Sequence, residues 1–201
     1  MCCRYWIGQS SWLDPIVELM NRSPLAEVFA QRGNVVSRGE VRPTDVAPVI
    51  ATARSGGRAV FPMRWGFRGK SLLINARVET AAERPAFREA WAGHRCVVPA
   101  SYYFEWEHLT GEDGKKKTGD RFQLCPRGDE VTWLAGLYRI EDGLPCFVVL
   151  TREPGDGIRF IHDRMPLMLP ESSVDEWIRP GADPEKVVRT AMTDIAFERA
   201  G

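Results

Sequence analysis

Two cysteines stand directly behind the initiator methionine, in Met1-Cys2-Cys3-Arg4, and the first has chemistry that the second lacks. Removal of Met1 gives Cys2 a free α-amine as well as a thiol. The amine condenses with an aldehyde to an imine, and the thiol then closes a five-membered thiazolidine ring over the imine carbon. The nitrogen of Cys3 is held in a planar, resonance-stabilised peptide bond and offers no such amine. Reference pKa values of about 7.7–8.0 for an α-amine and about 8.5 for a thiol leave part of each in nucleophilic form near neutrality. The plainer reading of Cys2, a small residue that merely permits Met1 removal, holds unless other residues supply proton transfer.

Two residues qualify for that task. Glu105 lies between Phe104 and Trp106, and burial among aromatic rings raises a carboxyl pKa toward neutrality; the alternative is a carboxylate that alternates out to solvent. His162, in Ile161-His162-Asp163-Arg164-Met165-Pro166, occupies a short polar break between apolar segments, where an imidazole meets both a substrate and an orienting partner. His94 and His108 have no comparable setting. Asn75, Arg77 and Glu79 follow an apolar run at alternate positions, and the strand period of two sends all three to one face. From Val46 to Val78 there is no acid, against Arg54, Arg58, Arg64, Arg68, Lys70 and Arg77. Such a run is either a solvated face or an anion-binding surface.

The elements that must hold these residues fit one globular domain, 1–201, with 44% hydrophobic residues to build its core. Five cysteines without a CxxC pair, and no secretory signal, indicate neither a disulfide framework nor a zinc site. No metal and no cofactor is expected, and a reducing cytosol suits the composition. Lys+Arg and Asp+Glu are both 27, which excludes a general polycation. The longest apolar runs, such as Phe147-Val148-Val149-Leu150, are strand-sized and too short to span a bilayer.

Tyr5-Trp6-Ile7 reads as a short strand. Asp14-Pro15 reads as a cap followed by the first helical position, with the helix running to about Met20. Pro24 opens a second helix that Gly33 stops, and Val41 to Ile50, with Pro43 and Pro48, reads as irregular extended chain. Strands are expected at Arg58–Met63, Ser71–Asn75, Cys96–Pro99, Tyr102–Trp106, Phe122–Cys125, Val131–Tyr138 and Cys146–Thr151, mostly antiparallel. Trp65-Gly66-Phe67 reads as a bend, Pro85 to Trp91 as a short helix, and His108 to Gly119, with Lys115, Lys116 and Lys117, as a polar loop that forms a mobile hairpin connection. The chain from Glu171 reads as amphipathic helix.

Met1-Cys2 with Arg4, Trp65-Gly66-Phe67, Ile74-Asn75-Ala76-Arg77-Val78-Glu79-Thr80, Phe104-Glu105-Trp106 and His162-Asp163-Arg164-Met165-Pro166 together resemble the SOS response-associated peptidase (SRAP) family. The likeness extends over nearly the whole chain, in the family's order. It implies a mixed α/β (α+β) fold built on a strongly curved, barrel-like, mainly antiparallel sheet with peripheral helices. Cys2 then lies at the floor of a positively charged groove. The implied function is that of an abasic site sensor in the DNA damage response. Such a protein binds single-stranded DNA, crosslinks to the opened sugar aldehyde through Cys2 and so protects the lesion. AP-lyase activity and self-processing peptidase activity that removes Met1 are implied as well. The family's catalytic set falls on Cys2, Asn75, Glu105 and His162, with Arg4 and Arg77 as DNA contacts; Arg64 and Arg68 of the acid-free run and Trp65 complete the expected DNA-binding set. The implied partner is single-stranded DNA containing abasic sites, met by a cytoplasmic monomer, nucleoid-associated in a bacterium.

Three positions depart from the family pattern: Cys3 replaces a glycine, Asp45 replaces an asparagine, and the 67–72 linker is short and lacks an aromatic wedge. Two rival readings use the same residues. An N-terminal-cysteine amidohydrolase or peptidase also needs a free Cys2, but requires an oxyanion hole for which no signature is present. A non-catalytic single-stranded DNA-binding module explains the basic run and the aromatics but leaves Glu105 and His162 idle.

Overall fold

The computed structural model of the protein describes residues 2–111 and 114–200. Met1, whose removal the sequence reading requires, lies outside the described residues, as do Glu112, Asp113 and Gly201. The chain opens with β1 (Arg4–Ile7), α1 (Leu13–Asn21), α2 (Pro24–Ala30), β2 (Gly39–Val41), β3 (Val46–Thr52) and β4 (Arg58–Trp65). It continues through β5 (Asn75–Arg77), α3 (Val78–Ala81), α4 (Arg88–Gly93), β6 (Arg95–Ala100), β7 (Tyr102–Thr110), β8 (Lys116–Pro126), β9 (Thr132–Glu141) and β10 (Leu144–Arg152). The last part holds β11 (Met165–Pro166), β12 (Met168–Leu169), α5 (Val174–Ile178), α6 (Pro184–Val188) and β13 (Ile195–Arg199).

Neighbouring strands in the order β10, β4, β3, β6, β9 and back to β10 close a five-stranded barrel. All of its pairings are antiparallel except β10 with β4, and β5 adds a second parallel strand beside β10. Residues 46–51 of β3 and 95–100 of β6 are buried without a break, as expected of strands covered on both faces. One face fills the barrel; α1 and α2 cover β4, and α5 covers β6. Gly136 of β9 permits this closure, since a Cβ there would meet the Val148 carbonyl oxygen at 2.8 Å. A second sheet, in the order β13-β8-β7-β1-β2, is antiparallel throughout. Among the described residues no helix is long and apolar enough to cross a membrane.

Local expectations fail where long-range pairing overrides them. The first helix begins at Leu13, because Ser10 Oγ accepts the Leu13 N–H at 3.1 Å and Asp14 Oδ1 accepts the Ser10 N–H at 3.3 Å. Pro15 is tolerated in that first turn, where its missing N–H has no helical partner. Pro48 belongs to a barrel strand rather than to irregular chain, and it pairs with Pro62. Two prolines can face each other at a non-hydrogen-bonded pair, where neither N–H is needed by the partner strand. The expected hairpin connection between β7 and β8 is present but shorter than His108 to Gly119, because residues 108–110 pair with 116–118 and extend the ladder. The terminal stretch ends in the edge strand β13 instead of continuing as helix.

Candidate active site

Cys2 enters the molecule directly ahead of β1, a strand held on both sides: Tyr5 pairs with Val41 of β2 and with Tyr103 of β7. Tyr5 and Ile7 turn into the core, while Arg4 and Trp6 are only partly buried. The Asn75 amide, fixed by pairing with Val149 of β10, donates Nδ2–H to the Cys2 carbonyl at 2.8 Å. The Asn75 Oδ1 is buried and has no hydrogen-bond partner among the described residues. The Cys2 thiol has no exposed surface and donates to the Arg4 carbonyl at 3.7 Å. Burial, and next the negative charge of Glu105, push its pKa well above the ordinary thiol value. The thiolate is the stronger nucleophile, so this environment holds the sulfur back as a thiol.

Glu105 lies on β7 opposite Phe122, with 4% of its surface exposed. Burial raises its pKa from the usual carboxylate range. The alternative of a solvent-facing carboxylate is therefore excluded. A smaller contribution to that rise comes from the charge of Asp163, which brings the His162 segment into the same site.

His162 is buried, and its Nδ1 faces two groups: the Arg164 backbone N–H at 3.0 Å and the Asp163 carboxylate at 2.7 Å. One ring nitrogen cannot accept and donate at once. In the neutral ring the Nδ1 lone pair takes the Arg164 N–H; in the imidazolium the Nδ1–H is given to Asp163. Each protonation state thus has its own partner.

Around this centre the structure adds residues the sequence did not single out. Glu40 of β2 accepts from Arg4 Nη1 (2.8 Å), Arg42 Nε (2.7 Å) and Arg121 Nη2 (2.7 Å). Burial opposes its charge, yet the hydrogen bonds from Arg42 and Arg121 and the charge of Arg4 hold its pKa below the usual range. Arg121 lies 3.6 Å from the Phe104 ring centroid, and Arg4 and Arg121 both lie 5.4 Å from that of Trp106. The charged rows over aromatic rings share one face of the second sheet. Arg164 grips Glu79 with two hydrogen bonds of 2.8 Å and reaches the Thr151 carbonyl at 2.7 Å. The period-two face of Asn75 and Arg77 stops there: Val78 starts α3, and Glu79 turns to meet Arg164. Arg77 is exposed and makes no ion pair with a described residue.

The remaining expected contacts lie elsewhere. Trp65 is fully buried, 5.3 Å from the Tyr5 ring, and its Nε1–H donates to the Ile74 carbonyl; it is a core ring with no surface to offer DNA. Arg64 donates to Glu141 at 2.7 Å, and Arg68 pairs with Asp142. Arg64 pairs in register with Cys146 and Arg77 with Thr151, five residues apart on β10 and so roughly 17 Å apart along the strand. Asp45 is consumed locally, accepting from Asn34 at 3.0 Å and from the Arg42 N–H at 2.8 Å. The short linker folds on itself through two backbone bonds between Phe67 and Leu73, 2.8 and 2.9 Å. Gly66 allows it, with φ 113° and no room for a Cβ beside Leu72.

A closed five-stranded barrel beside a second antiparallel sheet, with helices around them, makes this an α+β protein. The profile of the SOS response associated peptidase (SRAP) family matches residues 1–199, and the chain belongs to that family. It is 33% identical over 161 residues to the abasic site processing protein YoaM of Bacillus subtilis (71% of this chain, 69% of the relative). It is 30% identical over 199 residues to the abasic site processing protein YoqW of the same organism (92% and 84%). A crystal structure of a Bacteroides thetaiotaomicron protein superimposes with a TM-score of 0.74 at 19% identity, covering 100% of this chain and 92% of that one, a likeness of fold alone.

Proposed function

We propose that this protein, acting as a single-domain monomer, crosslinks covalently to abasic sites in single-stranded DNA through Cys2 after Met1 is removed. The observation that carries the reading is the Cys2 main chain clamped by Asn75, with its thiol buried beside Glu105. A closed abasic sugar is a hemiacetal. Glu105 takes the anomeric hydroxyl proton and returns it to the ring oxygen as that C–O bond breaks, freeing the aldehyde. The Cys2 amine adds to the aldehyde carbon, and His162 delivers the proton with which the carbinolamine hydroxyl leaves as water. The thiol then adds across the C=N bond: sulfur bonds to carbon and the S–H proton goes to nitrogen, so no free thiolate is needed. Asn75 Oδ1 is the acceptor that orients the amine. Elimination of the 3′ phosphate from the imine is the competing lyase outcome, and ring closure by sulfur suppresses it. Self-processing at Met1 would use the same pair of proton carriers. The partly buried Arg4 and the exposed Arg77 are the proposed phosphate contacts, phosphates being read without regard to sequence.

The test is incubation with abasic single-stranded DNA followed by a denaturing gel and intact-mass analysis. Cys2→Ala is expected to lose the stable adduct, and Cys3→Ala to keep it. An adduct mapped to Cys3, or full activity with Met1 retained, overturns the assignment.

A further inference from the structure

The β7–β8 ladder carries His108 into the site. Its N–H donates to the Ile161 carbonyl at 3.0 Å, which ties β7 to the segment bearing His162, and the two imidazole rings lie 3.9 Å apart between centroids. Asp163 closes the group. One ligand atom from each of His108, His162 and Asp163 falls within 4.8 Å of the others. Two imidazoles and a carboxylate form a borderline-soft donor set of the kind that takes first-row divalent ions with an open fourth position. Bond lengths of about 2.0–2.2 Å put tetrahedral ligand atoms roughly 3.3 Å apart, so the group must contract. His108 is an exposed side chain that can rotate inward, while Asp163 already meets the buried His162 at 2.7 Å.

We infer that His108, His162 and Asp163 bind Zn²⁺, and that the bound ion switches off crosslinking by taking a lone pair of His162. A His162 side chain coordinated to the ion is no longer available to a substrate, and Asp163 is drawn onto the ion with it. The binding stands on the geometry alone; the inhibition rests on the proton-carrier reading of His162.

The experiment has two arms. Calorimetric titration of Zn²⁺ into the Cys2→Ala/Cys3→Ala protein, which lacks the nearby thiols, is expected to show one site. Adding His108→Ala is expected to weaken that site about tenfold or more, since even outer-shell partners of a metal site are worth about 10–100-fold in affinity. In the second arm, Zn²⁺ silences crosslinking by the wild type and EDTA restores it. His108→Ala, measured against its own metal-free rate, remains active at the zinc concentration that silences the wild type. No heat in the first arm, or an affinity indifferent to His108, overturns the site. Equal zinc inhibition of wild type and His108→Ala assigns the effect to the Cys2–Cys3 thiols and overturns the switch. A protein that never crosslinks defeats the functional reading while leaving the calorimetric arm to decide the site.

Discussion

The two ends of β10 carry the same residue types to opposite effect. At the Cys146 end, Arg64, Arg68 and Arg139 surround Glu141 and Asp142. Burial works against the Glu141 charge, but the Arg68 N–H and the Arg139 guanidinium hold its pKa below the usual range. At the Thr151 end Arg164 is likewise met by Glu79, but Arg77 is exposed and makes no ion pair with a described residue. The cysteines repeat the contrast. Cys146 is pushed up to about 12, first by burial and then by Glu141, and Cys2 is raised by burial and then by Glu105. Thiol acidity therefore does not distinguish them. What does is covalent position: of the two, only Cys2 would gain an α-amine on loss of Met1. A basic cluster has charge to offer a ligand only in excess of what the fold has met: Arg77 makes no ion pair with a described residue, and Arg4 shares the one carboxylate of Glu40 with Arg42 and Arg121.

Breaking the reactive end has the largest expected effect. Glu105→Gln and His162→Ala should each slow crosslinking by about 10²–10⁴-fold, the usual contribution of general acid–base groups. Affinity for a non-reactive abasic analogue should stay nearly unchanged. Equal losses in rate and affinity would make both residues structural and erase the distinction between the two ends.

A smaller effect sharpens the electrostatic half of the comparison. In a salt titration of binding to undamaged single-stranded DNA, Arg77→Ala should reduce the slope by one phosphate contact, about 0.7 log units per decade. Arg64→Ala, whose charge Glu141 already meets, and Arg58→Ala, held by Asp175 at 2.8 Å, should leave the slope unaltered. A slope that falls as much for Arg64 as for Arg77 would mean that DNA runs the length of β10 and displaces Glu141.

The smallest effect is thermal. Because burial raises the Glu105 pKa, the folded chain holds that proton more tightly than the unfolded chain. The resulting stabilisation is complete below the unfolded value of about 4.3 and is lost as pH rises through the folded value, above which a charge is buried. Glu105→Gln should therefore raise Tm relative to wild type increasingly with pH, by about 2–4 °C for each kcal/mol gained. A difference that does not change between pH 4 and pH 8 would show that the Glu105 charge is fully compensated in the fold.

The sequence alone determined matters of local chemistry: which cysteine would gain a free α-amine on loss of Met1, which carboxylate stands between two aromatic residues, and where most strands lie. These depend on covalent position and on short hydrophobic periods, both readable within a few residues. It could not say which arginines are available. Arg64 and Glu141 are 77 residues apart, and Arg121 and Glu40 are 81 apart; only the pairing of β4 with β10 and of β8 with its neighbours brings them together. Trp65 is indistinguishable in sequence from a surface aromatic, and its place against Tyr5 follows from the packing of the second sheet on the barrel. His108 looked like a loop residue because its polar neighbours mask a strand whose partner, Thr118 of β8, lies across the turn. Ion pairing, burial on both faces and the meeting of His108 with His162 are properties of strand order, and strand order is set by the whole core at once.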